Sequence, residues 1–262
     1  MVAFFDMTVG QNSGNKIEHV LIREVNGKRF GEINLRVQQM LLEVDSSVAD
    51  GNAIFRAYKA GGSGINRKVD LIFECGNKRI ASPSVKSGGG NSVHQENIHD
   101  FVNFLRDLGV DEATISELYW FHWGDGTTDG SGAVSQRISS REIRARFPDT
   151  IRVVGEMFDK HQKSIVARAL AGSQQNSSPS HLLYTENEQL SNLTIIPMSE
   201  VIEFNSQPQT DSDLTVGRLQ FQNYGRCLQG QDLISNKTRN DVQFKWPTLA
   251  ADVRDIYRSV NE

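Results

Sequence analysis

Residues 69–86, VDLIFECGNKRIASPSVK, read as two strands joined by a turn, with an acidic residue near one end and a basic residue at the other. The first half alternates: Asp70, Ile72 and Glu74 fall on one face, Leu71, Phe73 and Cys75 on the other. Residues 76–78, GNK, are a turn signal, and residues 79–86 form the returning strand of a hairpin. Pro83 weakens its middle, since a residue without an N–H is kept to edges and bulges. Ser84 and Lys86 share a face by period two, and the carbonyl of Val85 lies between them, available to a hard cation.

Working outward, residues 51–60, GNAIFRAYKA, predict a strand or edge segment, followed by a Gly-rich turn at 61–68. FGEINLRVQQMLLEV (30–44) has apolar residues at helical spacing and predicts a helix, whereas EHVLIREV (18–25) reads as a strand. Beyond the hairpin, a loop at 87–92, SGGGNS, opens a predicted helix at 93–109 that closes at Gly109. A helix-rich stretch runs from Asp111 to about Leu170, interrupted by GDGTTDGSG (124–132). Within it SSREIRARF begins on serines with Glu142 in capping position. SQQNSSPS (173–180) is linker-like, and short β-type runs follow it: HLLYT, LTIIPM, VIEF, GRLQFQNYG and VQFKW. The pattern predicts an α/β core over 1–172 with a helical insertion, and a β-rich part over 173–262 packed on it as one unit.

Composition narrows the function classes. A chain of 262 residues with 38% hydrophobic and 23% charged residues can bury a core without disulfides or a structural metal. The net charge of −4 excludes a chain basic all over, but a local basic groove suffices for phosphates. Two distant cysteines, Cys75 and Cys227, read as reduced thiols. No signal peptide or membrane-length apolar run is evident, so a cytoplasmic protein without a membrane partner is expected.

A phosphodiesterase needs a carboxylate to hold a cation and a group to orient or activate water. A hairpin with Asp70 on one strand and Lys86 on the next supplies both from rigid elements. On its own the pair is equally a pattern of ordinary half-exposed hairpin charges.

The surrounding residues 61–101, GGSGINRKVDLIFECGNKRIASPSVKSGGGNSVHQENIHDF, resemble the active-site hairpin of the PD-(D/E)xK restriction endonucleases. The likeness is to the MspI- and HinP-type tetranucleotide-cutting group, in which a Gly/Ser turn precedes the Asp strand and a polar loop and helix follow the Lys. A second segment, VGRLQFQNYGRCLQGQDLISNKTRNDVQFKWP (216–247), is similar to that group's C-terminal part, with its basic, Gly-rich turn and closing QFK. The two segments cover roughly a third of the chain.

The resemblance implies a mixed central sheet flanked by helices, a Mg²⁺ cofactor and double-stranded DNA as partner. It implies type II cleavage of a short palindromic site, with four bases and a central CG as one expectation. A cognate methyltransferase is expected genetically rather than as a bound partner, and the chain as monomer or homodimer. By position, Asp70 is the principal metal ligand, the Val85 carbonyl a second, and Lys86 the group that positions water and stabilises phosphate charge. Ser84 fills the slot usually held by Glu, or by Asn or Gln in the nearest group, so another carboxylate has to compensate. Glu32 on the first predicted helix is the expected compensator, with Glu74 next. Gln243 and Lys245 are expected to read base edges. Arg226, Lys237 and Arg239 lie in the preceding turn, either contacting DNA or as solvated loop charges. Ser92, His94 and Gln95 lie at a loop-to-helix junction, either on the DNA or capping the helix. A nicking or repair nuclease of the same superfamily and a DNA-binding protein without catalysis are the competing readings, the latter motivated by Ser84.

Other features read as structural. The histidines lack zinc-site spacing, DGTTDGSG lacks calcium-loop order and reads as a flexible polar loop, and YWFHW (119–123) reads as core. SGGGNS lacks the ending of a phosphate loop. RISSREIRARF (137–147) either tracks a phosphate backbone or is a solvated face.

Overall fold

The computed structural model describes residues 13–61, 68–88, 91–172, 178–208, 214–223 and 239–261. They form a mixed α/β protein divided into two compact units. One unit is built from 1–90, 174–201 and 249–262, the other from 91–173 and 202–248. The expected boundary at 172/173 falls beside one of four crossings between units. The sequence pattern shows a change of composition there but not that each unit is discontinuous.

The first unit begins with helix α1 (Ser13–Val25), where a strand was expected at 18–25. Val20, Leu21 and Ile22 in a row suggest a strand, but Ile17, Leu21 and Val25 recur every four residues and are all buried. Helix α2 (Leu35–Val44) starts five residues later than the spacing indicated. Asn34 caps it by accepting from Arg36 N at 3.0 Å, and residues Phe30–Glu32 form a separate 3-10 turn.

Strand β1 (Phe55–Lys59) pairs antiparallel with β2 (Leu71–Cys75), and β2 pairs antiparallel with β3 (Lys78–Ala81). The returning strand breaks at Ser82 and resumes as β4 (Pro83–Ser87), so Pro83 stands at a strand start, where its missing N–H interrupts least. β4 pairs parallel with β6 (His181–Thr185), which pairs antiparallel with β7 (Thr194–Pro197). α1 packs on β1 and β4, and α2 on β7. Ile17, Leu21, Val37, Leu41, Phe55, Leu71, Phe73, Val85 and Leu183 fill the space between. The C-terminal helix α9 (Leu249–Asn261) also packs on β7, burying Leu249, Val253 and Ile256. Cys75 is a free thiol, and Cys227 lies outside the described residues.

The second unit carries strand β5 (Ser92–Asn97), where the helix was expected to have begun. His94, Glu96 and Ile98 point inward by period two, and the two polar members of that row disguise the alternation. Asn97 then caps α3 (Ile98–Asp107), accepting from His99 N at 2.9 Å. Gly109, at φ 82°, ends the turn as expected. Helices α4 (Glu112–Trp123), α5 (Ser140–Arg146), α6 (Pro148–Lys160) and α7 (Gln162–Ala171) follow, and Ser139 and Glu142 make the anticipated capping box on α5. Helix α8 (Met198–Asn205) replaces the strand expected at VIEF.

The second unit's sheet has the order β5–β10–β9–β8, with β8 (Thr215–Val216), β9 (Leu219–Gln222) and β10 (Asp241–Lys245) antiparallel. Phe101, Phe158, Phe221 and Phe244 cluster on its inner face, Phe158 to Phe221 at 4.9 Å between ring centroids. Gly217 makes the tight β8–β9 turn at φ 58°, and a Cβ there would lie 2.0 Å from the Asn205 carbonyl oxygen. Gly217→Ala is therefore expected to lower stability by at least about 1–2 kcal/mol from the left-handed backbone alone. Thermal unfolding checks this. Among the described residues no helix is long and apolar enough to cross a membrane.

Candidate functional site

Asp70 sits where β2 and β4 part. Its N–H donates to Pro83 O at 3.0 Å and its carbonyl accepts from Ala60 N at 3.1 Å, so the backbone is held from both sides. The next rung towards β4 comes from the side chain: Oδ2 accepts from Val85 N at 2.7 Å and from the Ser84 hydroxyl at 3.2 Å. In an extended strand the N–H and C=O of one residue point to the same edge, so the Val85 carbonyl also faces Asp70. Oδ1 of Asp70 accepts no hydrogen bond from the described residues. The expected grouping of Asp70, Ser84 and Val85 is thus present.

Lys86 follows on β4, half-buried and without an ion pair among the described residues. Burial pushes its ammonium below the ordinary lysine range, and the charges of Asp70 and Glu18 pull the other way. Glu18 is the residue the sequence reading missed. It projects from α1, 16% exposed, and pairs with Lys59 at 3.0 Å. Lys59 stands opposite Leu71, the neighbour of Asp70, so this pair fixes Glu18 at the Asp70 end of β2. Reading residues 18–25 as a helix would have exposed it, because Glu18 follows Ile17 at the start of the buried stripe.

Glu32 does not join them. It lies exposed on the 3-10 turn, its carboxylate accepting from Arg29 N at 2.8 Å. Glu74 is also occupied elsewhere, accepting from the Tyr58 hydroxyl at 2.8 Å. It stands four residues, about 13 Å, along β2 from Asp70. Among the described residues no group of three or more His, Cys, Asp or Glu side chains converges. Among the described residues, the carboxylates whose charges act on Lys86 are those of Asp70 and Glu18.

The second unit brings together candidates from opposite ends of the sequence. Gln243 on β10 stands opposite Gln95 on β5 and Gln222 on β9, and Lys245 stands opposite Ser92 and Gln220. Side chains directly opposite share a face, so one side of the sheet is a field of amides with a lysine at its end. Gln95 Nε2 donates to Asp241 at 2.8 Å and Gln243 Nε2 to the Ser92 hydroxyl at 2.7 Å. Gln243 is 7% exposed, and its Oε1 accepts no hydrogen bond. Lys245 has no ion pair among the described residues. The strand, rather than helix capping, accounts for Ser92 and Gln95, whereas His94 turns inward to Glu96 at 2.8 Å.

Arg239 is not a free loop charge. Its guanidinium is buried, bonded to Asp125 at 2.7 Å and to the carbonyl of Gly130 at 2.9 Å, and it lies over the Trp123 ring. Burial disfavours the Asp125 charge, yet hydrogen bonds from Arg239 and Thr127 hold its carboxyl below the usual range. The loop at 124–132 is accordingly an ordered scaffold rather than the flexible loop expected. Phe121, His122 and Trp123 are core, as the sequence indicated. Arg226 and Lys237 lie outside the described residues. No protein-family model matches the chain, and no curated protein matches it.

Proposed function

We propose that the chain is a type II restriction endonuclease with a PD-(D/E)xK core, cutting both strands of a short DNA site with Mg²⁺. The observation that carries this reading is the strand pair itself: Asp70 bonded to Ser84 and Val85 N, with a half-buried lysine one residue further on. The β4–β6–β7 sheet, parallel at β4–β6 and antiparallel at β6–β7, supports it. The amide field on the second sheet supplies groups suited to base edges in a major groove.

Magnesium is held by one or two carboxylates with waters and phosphate oxygens rather than by a full protein cage. Asp70, Glu18 and the Val85 carbonyl are a donor set of that kind, with Glu18 in the compensating role that Ser84 leaves open. The bound cation would polarise the phosphate and lower the cost of forming a nucleophilic hydroxide. Lys86 donates to phosphate oxygen and offsets charge in the transition state. Ser84, 3% exposed and bonded to Asp70, orients that carboxylate.

Plasmid digestion with Mg²⁺ and sequencing of the ends tests the proposal. Discrete double-strand ends support it. Nicks favour the single-strand alternative, and DNA binding without cleavage favours a protein that has lost catalysis, the reading that Ser84 motivates. Glu18→Gln is expected to slow cleavage by about 10²-fold and raise the Mg²⁺ requirement. Unchanged rate and Mg²⁺ dependence would remove Glu18 from the site.

A further inference from the structure

Two carboxylates stand at the Asp70 end of β2, and in each the chain engages one oxygen and leaves the other open. Asp70 Oδ2 accepts from Val85 N at 2.7 Å and from the Ser84 hydroxyl at 3.2 Å. Glu18 Oε2 holds the Lys59 ammonium at 3.0 Å. Neither Asp70 Oδ1 nor Glu18 Oε1 accepts a hydrogen bond from the described residues. Glu74, on β2, differs in this respect. Its Oε1 accepts from the Tyr58 hydroxyl at 2.8 Å and its Oε2 lies 3.9 Å from Arg56, so neither oxygen is left over.

Lys59 does more than neutralise Glu18. Its ammonium also donates to Asn15 Oδ1. Asn15 and Glu18 are three residues apart, hence neighbours on one face of α1, so a single ammonium spans a turn of that helix from the end of β1. The next residue, Ala60, donates its N–H to the Asp70 carbonyl at 3.1 Å. Residues 59 and 60 thus hold both acidic residues, one by its side chain and the other by its backbone. A glutamate on a helix surface samples several rotamers, and pinning one oxygen fixes where the other points. The side chain of Lys59 is 41% exposed and that of Glu18 16%. Water therefore screens the repulsion between the ammonium and a second cation, while the carboxylate that it orients is largely out of solvent. Ordering of the ligand outweighs repulsion of the metal.

We infer that Lys59 is a positioning residue for the divalent cation, holding Glu18 so that Oε1 is offered as a ligand, as Ser84 and Val85 N do for Oδ1 of Asp70. The inference rests on the Mg²⁺-dependent reading above and adds the group that makes Glu18 an effective ligand. Residues that touch a ligand rather than the metal contribute about 10–100-fold to metal affinity.

The test is Mn²⁺ binding to the full chain without DNA, read as loss of the free-ion electron paramagnetic resonance signal and reversed by excess Mg²⁺. Lys59→Met is expected to weaken binding by at least about tenfold. The ion pair is exposed on the lysine side, so the melting temperature should fall by no more than about 4 °C. Lys59→Arg should keep the parent affinity, because a guanidinium donates to the same carboxylate. In a Glu18→Ala background Lys59→Met should cause no further loss, since no carboxylate remains to be oriented. Lys163→Met, which removes an exposed, ion-paired lysine of the second unit, should leave binding unaltered. Binding by Lys59→Met that equals or exceeds that of the parent overturns this inference alone, as does a further loss in the Glu18→Ala background. Failure of the unsubstituted protein to bind Mn²⁺ overturns it together with the metal-dependent reading.

Discussion

Replacing Lys86 with methionine is expected to reduce DNA cleavage by at least ~10³-fold while raising the melting temperature. Loss of one preorganised charge at a reacting centre removes about 10²–10³ in rate, and Lys86 would also hold the phosphate in place. Stability moves the other way because the ammonium is desolvated by its surroundings and has no ion pair among the described residues. Methionine keeps the stem's volume and removes the charge, a change of the class that adds on the order of 1 kcal/mol. Single-turnover cleavage and thermal unfolding read the two effects. A methionine variant that cuts at the parent rate would take Lys86 out of the site. Under the proposed role, the lowered lysine pKa is expected to bring the alkaline limit of cleavage below the ordinary value of 10.5, since only the protonated side chain carries the charge that offsets the phosphate. The stability penalty has the matching sign. It is full while Lys86 is protonated when folded, and it fades as pH rises through the folded value towards the unfolded one.

Replacing Glu96 with alanine is expected to cost about 3–5 kcal/mol, the largest stability loss at any single position considered. Glu96 is 2% exposed and accepts from Arg168 at 2.6 and 2.9 Å and from His94 at 2.8 Å. Arg168 also lies over the Phe104 ring at 4.6 Å. Removing the carboxylate leaves a guanidinium with little access to water and no counter-charge. Replacing both partners, Glu96→Leu with Arg168→Met, is expected to recover most of the loss, since it leaves neither charge stranded. Burial opposes ionisation of Glu96, but the bonds from His94 and Arg168 outweigh it and hold the carboxyl below its ordinary value of 4.5. Folding then releases protons in the acid range. The stabilisation is present above the unfolded value and is lost as pH falls through the folded one. Chemical denaturation of the two variants and the parent against pH reads both effects. An alanine variant as stable as the parent would show the cluster to be dispensable.

The legibility of this chain depended on sequence distance. Asp70 directly precedes β2, and Ser84 and Lys86 lie on β4 within 16 positions of it, so a local reading set them near one another although β3 and the break at Ser82 intervene. Glu18 lies 52 positions before Asp70, on a helix whose three consecutive apolar residues suggest a strand, so the sequence points to Glu32 rather than to Glu18. Alternation put Gln243 and Lys245 on one face, but nothing local revealed that Gln95 and Gln222 stand beside Gln243. Arg239 looked like a loop charge because its partner Asp125 is 114 residues upstream, in a stretch rich in glycine and polar residues. Burial of a polar residue is decided by such remote partners, and single-sequence periodicity carries no trace of them. The C-terminal helix was passed over although Leu249, Val253 and Ile256 mark its apolar stripe.

The interleaving of the two units sets an order on biosynthesis. The strand pair with Asp70 and Lys86 leaves the ribosome before any of the segment 91–173. Its parallel neighbour β6 emerges only after the whole segment 91–173 has been made. The helix that covers β7, residues 249–261, emerges after β10, the last strand of the other unit. The first unit therefore cannot close on the nascent chain until the second has been fully translated. The first unit's frame is complete only once residues 249–261 have been made, so fragments released by interrupted translation before them would lack it.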